Sequence, residues 1–173
     1  MTEPTDLETA RRTFPVGDHV TGKISLIPRP GVIGLFVDLG LPPTGFVDVL
    51  HLPRSVDEWP AVGTVTDFEV LQHRREQVRL WPLDAAFRSS TATLWRTEPE
   101  WHAVKHRHPV GSEVIAEITH VYPASREYTV TFGGIWSDLA WTGTPPVVGT
   151  KARFVVERHL DATRRVLLRS DDS

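Results

Sequence analysis

Val16-Gly17-Asp18-His19-Val20-Thr21-Gly22-Lys23-Ile24, followed by Gly31-Val32-Ile33-Gly34-Leu35-Phe36-Val37-Asp38-Leu39-Gly40, carries the pattern on which the fold reading rests. Apolar and polar residues alternate through it. Val20, Ile24 and Leu26 share one face of a first strand, and Leu35, Val37 and Leu39 one face of a second, the period-two signature of a half-buried antiparallel sheet. Gly45 to His51 gives a third strand with Val47 and Val49 inward. Beyond the Val62-Gly63-Thr64 turn, Phe68 and Val70 mark a fourth strand, and Val78 and Leu80 a fifth. Five short strands with glycines at the bends are what a small Greek-key barrel requires.

The text then repeats. Val110-Gly111-Ser112-Glu113-Val114-Ile115-Ala116-Glu117-Ile118 follows the first strand, Tyr128 to Gly133 the second, Val148-Gly149-Thr150 the turn, and Phe154 to Arg169 the last hairpin. A repeat of this length means duplicated domains. The expected architecture is all-β: two five-stranded barrels over 14–83 and 109–170, joined by a helical linker at 84–108, with a flexible segment at 1–13 and a tail at 171–173. Thr97-Glu98-Pro99-Glu100 starts the linker helix as a capping box, with Trp101 and Val104 as its buried stripe and Pro109 as its stop. Ser55 and Glu58 have the capping-box spacing of a short helical turn in the first barrel. In the copy, Thr129 occupies the Phe36 position, and Trp136 with Asp138 stands for Phe46 with Asp48.

The chain has 173 residues, a formal charge of -3 and no cysteine. That charge argues against a protein whose whole surface coats phosphate, so any nucleic-acid contact must be local. Disulfides, thiolate metal sites and cysteine nucleophiles are excluded. No apolar run marks a signal peptide or a membrane span, and a cytoplasmic protein is expected.

Taken together, V-G-D-x-V-x-G-x-I, I-G-L-F-V-D-L-G, G-F-V-D-V, the V-G-T turn and the closing V-R-L strand resemble the S1 family of RNA-binding barrels, which have the oligonucleotide-binding fold. The second copy resembles it more remotely. The resemblance implies single-stranded nucleic acid, RNA before DNA, bound across strands two and three and the loops beside them. Strand parity turns Phe36 and Phe46 outward as a stacking platform. The flanking segments supply Lys23 and Arg29 on one side and His73, Arg74, Arg75 and Arg79 on the other. The second barrel adds Arg158, Arg164 and Arg165. Asp48 stands where the family has a histidine, and Ile33 where it has a second aromatic.

His102 and His106 are one helical turn apart, with His108 beyond, but no third or fourth ligand is apparent, so no metal or cofactor is expected. No phosphate-cradling loop, nucleophile elbow or paired-carboxylate motif points to an enzyme. The alternative to nucleic-acid binding is a protein partner on the same face, where Asp38 and Asp48 are acidic, with Trp95, Trp101, Trp136 and Trp141 as anchors.

Overall fold

The computed structural model describes residues 3–74, 76–89 and 96–171, and for residues 3–6 the backbone alone. The chain divides into two compact units, Met1–Ala92 and Thr93–Ser173.

In the first unit, strands β1 (His19–Leu26), β2 (Gly34–Asp38), β3 (Thr44–Asp48), β4 (Val65–His73) and β5 (Gln77–Pro82) close into a barrel in the order β1-β2-β3-β5-β4. Closure comes from parallel pairing of β3 with β5, Phe46 standing opposite Arg79. Ile24, Leu35, Val37, Val47, Phe68, Val70, Val78 and Leu80 fill the interior, as the alternation requires. Leu26 is the exception at 52% exposure. A register shift between Ile24 and Leu26 inserts one residue and turns Leu26 out of the core. Leu52 and Trp59 also join this core, and the Trp59 indole donates to the Pro53 carbonyl at 2.6 Å. Residues Val56–Glu58 make one 3-10 turn, but Ser55 makes no side-chain cap.

Of the segment 1–13, expected to be flexible, the described residues are helical. Glu3–Thr13 form helix α1, with Leu7, Ala10 and then Phe14 buried. Their spacing puts them along one helical face. Phe14 enters the barrel core, and α1 packs against β4.

The second unit begins with helix α2 (Glu98–Arg107), which has the capping box its sequence predicts: Thr97 accepts from the Glu100 amide and the Glu100 carboxylate from the Thr97 amide. Trp101 and Val104 are buried in the second core, so α2 belongs to this unit, and the 84–108 linker of the sequence reading is divided between the units. The Lys105 ammonium and, secondarily, the Trp101 indole donate to Asp161, at 2.9 and 2.8 Å, which holds that carboxyl below its usual range.

Strands β6 (Glu113–Tyr122), β7 (Glu127–Phe132), β8 (Ile135–Ala140), β9 (Lys151–Leu160) and β10 (Arg165–Ser170) form a five-stranded sheet in the order β10-β9-β6-β7-β8. This is the order of the first barrel without its last ladder. At the seam between β8 and β10, the Ser137 hydroxyl donates to the Val166 carbonyl at 3.0 Å, with both residues buried. We therefore expect Ser137→Ala to cost about 1 kcal/mol of stability. Urea unfolding measures it, and an unchanged midpoint would mean that Ile135, Leu139, Val166 and Leu168 hold the seam by packing alone.

The second unit also differs in register. Thr129 stands opposite Asp138, as Phe36 stands opposite Phe46, so Asp138 holds the Phe46 position and Trp136 lies one outward step nearer the turn. Between β7 and β8 only Gly133 and Gly134 intervene, where the first barrel has residues 39–43. The shorter turn moves the pairing by two residues and keeps the faces unchanged.

Candidate nucleic-acid interface

The outer face of β2 and β3 brings three of the expected residues together. Phe36 and Phe46 are cross-strand partners, their ring centroids 5.2 Å apart and their planes inclined at 55°. From β5, the Arg79 guanidinium lies over the Phe46 ring at 4.9 Å and approaches Asp48 at 3.4 Å. This arrangement decides the fate of the two aromatics. Phe46 is enclosed between Phe36, Arg79 and the backbone at Gly34 and is only 5% exposed, so it is not the open stacking surface the parity implied. Phe36 is half-buried and presents the remaining ring surface.

Asp48 is occupied by its own fold. One oxygen accepts from the Leu50 amide at 2.9 Å, capping the 3-10 turn Val49–His51, and the other faces Arg79. Its charge is therefore locally balanced. Beside the pair is a cavity of about 170 Å³ lined by Phe46, Asp48, Leu50, His51, Gln72 and Arg79. His51 packs edge-on against Trp81 at 5.1 Å. Burial lowers its pKa, against the pull of Asp48 and with the help of Arg79, so its imidazole is neutral at pH 7. The Arg79 Nε–H is buried and has no acceptor among the described residues. Chemically, the face offers one aromatic surface, a guanidinium with a spare donor, and a neutral ring able to donate or accept.

The other expected contacts are placed less favourably. Lys23 and Arg29 are exposed, on β1 and in the segment that follows it. Arg74 is exposed in the β4–β5 turn, and Arg75 lies outside the described residues. His73 is wholly buried and is no surface contact. Burial, and secondarily the Arg11 charge, lowers its pKa to about 4, although backbone groups of Ala10 and Phe14 pull the other way. In the second unit, Arg158 is exposed on β9. Arg164 has φ 59° and donates to the Arg96 carbonyl, while Arg96 donates to the Arg164 carbonyl, so Arg164 serves the turn between β9 and β10. Arg165 donates to the Thr163 hydroxyl.

Sequence reasoning missed His51 and Gln72, and underrated the pairing of Asp48 with Arg79. The signal was faint: these residues are spread along the chain and are brought to Arg79 by the pairing of β5 with both β3 and β4. Of the tryptophans considered as anchors, Trp101 is buried, Trp141 packs on Tyr128, Trp136 is 45% exposed, and Trp95 lies outside the described residues. His102 and His106 are exposed on α2, while His108 packs edge-on against Phe132. Among the described residues no group of three or more metal-binding side chains assembles. No helix among them is long and apolar enough to cross a membrane.

No family model matches the chain, and no curated protein matches it. Among solved structures it is similar to a multidomain protein with nucleic acid binding domains from Streptococcus pneumoniae, at 13% identity and a TM-score of 0.33, over 87% of this chain and 50% of that one. It is also similar to GSP13 from Bacillus subtilis, at 21% identity and a TM-score of 0.37, over 57% of this chain and 78% of that one. The chain spans half the length of the streptococcal protein.

Proposed function

We propose that the protein is a non-enzymatic binder of single-stranded nucleic acid, RNA before DNA, and that the outer face of β2 and β3 is one of its contacts. The observation that carries this reading is the Phe36–Phe46–Arg79 stack, with its buried, unpartnered Arg79 Nε–H beside a small cavity. A buried guanidinium donor without an acceptor is costly, and a nucleobase or phosphate oxygen would satisfy it. Phe36 supplies the ring on which the base of the same nucleotide stacks. Phe46 supports that ring and Arg79 from below.

A fluorescent single-stranded RNA titrated at low salt, followed by anisotropy, tests the assignment. Base–aromatic stacking is worth about 1–3 kcal/mol per base, so Phe36→Ala should weaken binding by about 5- to 150-fold. Equal affinity in the variant would remove Phe36 from the interface.

A second reading, a protein-docking edge, is favoured by one observation. Val32, Ile33 and Leu50 are exposed, and the Val49 amide donates to the Ile33 carbonyl, which makes them one apolar border of the same face. Co-purification of a protein after nuclease treatment, lost on Ile33→Asp, would support it.

A further inference from the structure

Strand pairing sets four side chains of the first barrel on one rung. Phe36 of β2 stands opposite Phe46 of β3, Phe46 opposite Arg79 of β5, and Arg79 opposite Gln72 of β4. The Arg79 side chain runs back along this rung, so its guanidinium lies 4.9 Å above the Phe46 ring. The Phe36 ring is the next one along, 5.2 Å from Phe46 and half-buried. A planar group laid on Phe36 would therefore share the layer of the guanidinium and meet it edge to edge. That is how arginine reads the edge of a base.

Asp48 completes the arrangement. It lies two residues beyond Phe46 on β3, on the same face, and one of its oxygens is 3.4 Å from the Arg79 guanidinium. The two side chains are 32% and 30% exposed, so a ligand can reach both. Neither is saturated. An ionised carboxylate accepts about four hydrogen bonds. Asp48 accepts from the Leu50 amide and from Arg79, while the Arg79 Nε–H has no acceptor among the described residues.

The cavity at this point measures about 170 Å³, below the roughly 300–1,000 Å³ of pockets that enclose a whole drug-sized ligand, so it takes only part of a nucleotide. Its lining decides which part. Phe46, Leu50, Leu71 and Leu80 are apolar and Asp48 is anionic, which disfavours a phosphate and suits a base.

The pairing of a guanidinium with a carboxylate also discriminates among bases. Every base has one acceptor beside one donor, so each can make a single bond to either group. Guanine alone has two acceptors, N7 and O6, followed along one edge by two donors, N1–H and N2–H2. A guanidinium matches the first two and a carboxylate the second two, with charge-assisted bonds throughout.

We infer that the β2–β3 face selects guanine, with the base stacked on Phe36, Arg79 donating to N7 and O6, and Asp48 accepting from N1–H and N2–H2. Asp48 is then the residue that sets base specificity, a role for a negative charge on a face that binds a polyanion. The inference rests on the nucleic-acid reading of this face and adds the identity of the base.

The test uses the full chain and labelled oligouridines that differ in one central base, G, A, C or U, followed by anisotropy at about 50 mM salt. The G probe should bind more tightly than the other three by about 5- to 150-fold, the worth of one bidentate pair. Inosine lacks only the 2-amino group and 7-deazaguanine only N7, so each should fall between G and A. Asp48→Asn keeps an oxygen for the Leu50 amide but has no carboxylate to take two donors, and it should lose most of the preference for G over inosine. Equal affinity for the G, A, C and U probes, with Phe36→Ala still weakening binding, would overturn the guanine assignment and leave the β2–β3 reading standing. A preference for G that is unchanged in Asp48→Asn would overturn it too. No binding of any probe would remove both. If circular dichroism shows that Asp48→Asn is unfolded, the wild-type chain decides: equal affinity for G, inosine and 7-deazaguanine would overturn the proposal, and a graded loss would support it.

Discussion

Gly34→Ala is expected to unfold the first barrel or to destabilise it by about 4 kcal/mol or more. Gly34 opens β2 with φ 141°, in the region that side chains rarely adopt. An added Cβ would fall far inside the contact distance of the Val47 carbonyl oxygen, 3.1 Å from the Val49 amide nitrogen and 3.0 Å from the edge of the Phe46 ring. The first two are backbone atoms of the β3 end and cannot move aside without breaking the ladder in which Gly34 faces Asp48. The third is the ring under Arg79, so the substitution strikes the barrel and the candidate interface together. Gly40→Ala is the control: φ is 86° there too, but nothing lies within 4 Å of its added carbon. It should cost only the left-handed penalty of about 1–2 kcal/mol. Urea unfolding of both variants separates them, and equal losses would mean that conformation alone, not crowding, requires glycine at position 34.

Acidification should destabilise the protein well before its carboxylates titrate, and His73 should be the main cause. The imidazole is wholly buried on β4, in the unit that α1 helps to close, and its pKa is lowered from 6.5 to about 4. Above pH 6.5 it is neutral whether the chain is folded or not, and stability does not depend on it. Between pH 6.5 and 4 the unfolded chain takes up a proton that the folded chain refuses, so folding becomes less favourable as the pH falls. At 1.36 kcal/mol per pKa unit the loss is about 3 kcal/mol, and it levels off below pH 4. Burial also lowers the pKa values of His51 and His108, which adds to the slope in the same direction. Urea midpoints across this range for the wild type and His73→Gln test the assignment by difference. The variant should lose most of the slope; an identical profile would place the acid lability elsewhere.

The parts of the fold that depend on period two were legible in the sequence. Leu35, Val37, Val47, Val70, Val78 and Leu80 are all fully buried, as alternation demands. Thr97 and Glu100 announced the start of α2 because a capping box is local chemistry. Alternation states which way a side chain points from its own strand, but not what arrives from another. Phe46 does point outward from β3, yet Arg79 comes across from β5 and Phe36 from β2 to cover it. His73 reads as a loop cation until the helix before β1 is recognised. That helix did leave a trace in Leu7, Ala10 and Phe14 at helical spacing, obscured by the polar residues around them. The arginines of β9 and β10 were misjudged for a related reason. Arg158, Arg164 and Arg165 are near one another in sequence and looked like a cluster, whereas Arg164 serves the turn and Arg165 donates to Thr163.

These features describe two five-stranded units of like strand order that differ in what they expose. The first offers a half-buried ring and a guanidinium beside a small cavity. Binding of an unstructured, labelled RNA to the intact chain tests the central claim most directly. The account predicts affinity at about 50 mM salt that falls linearly, on logarithmic axes, toward about 200 mM. Absence of binding at the lower salt, or an affinity indifferent to salt, would contradict it.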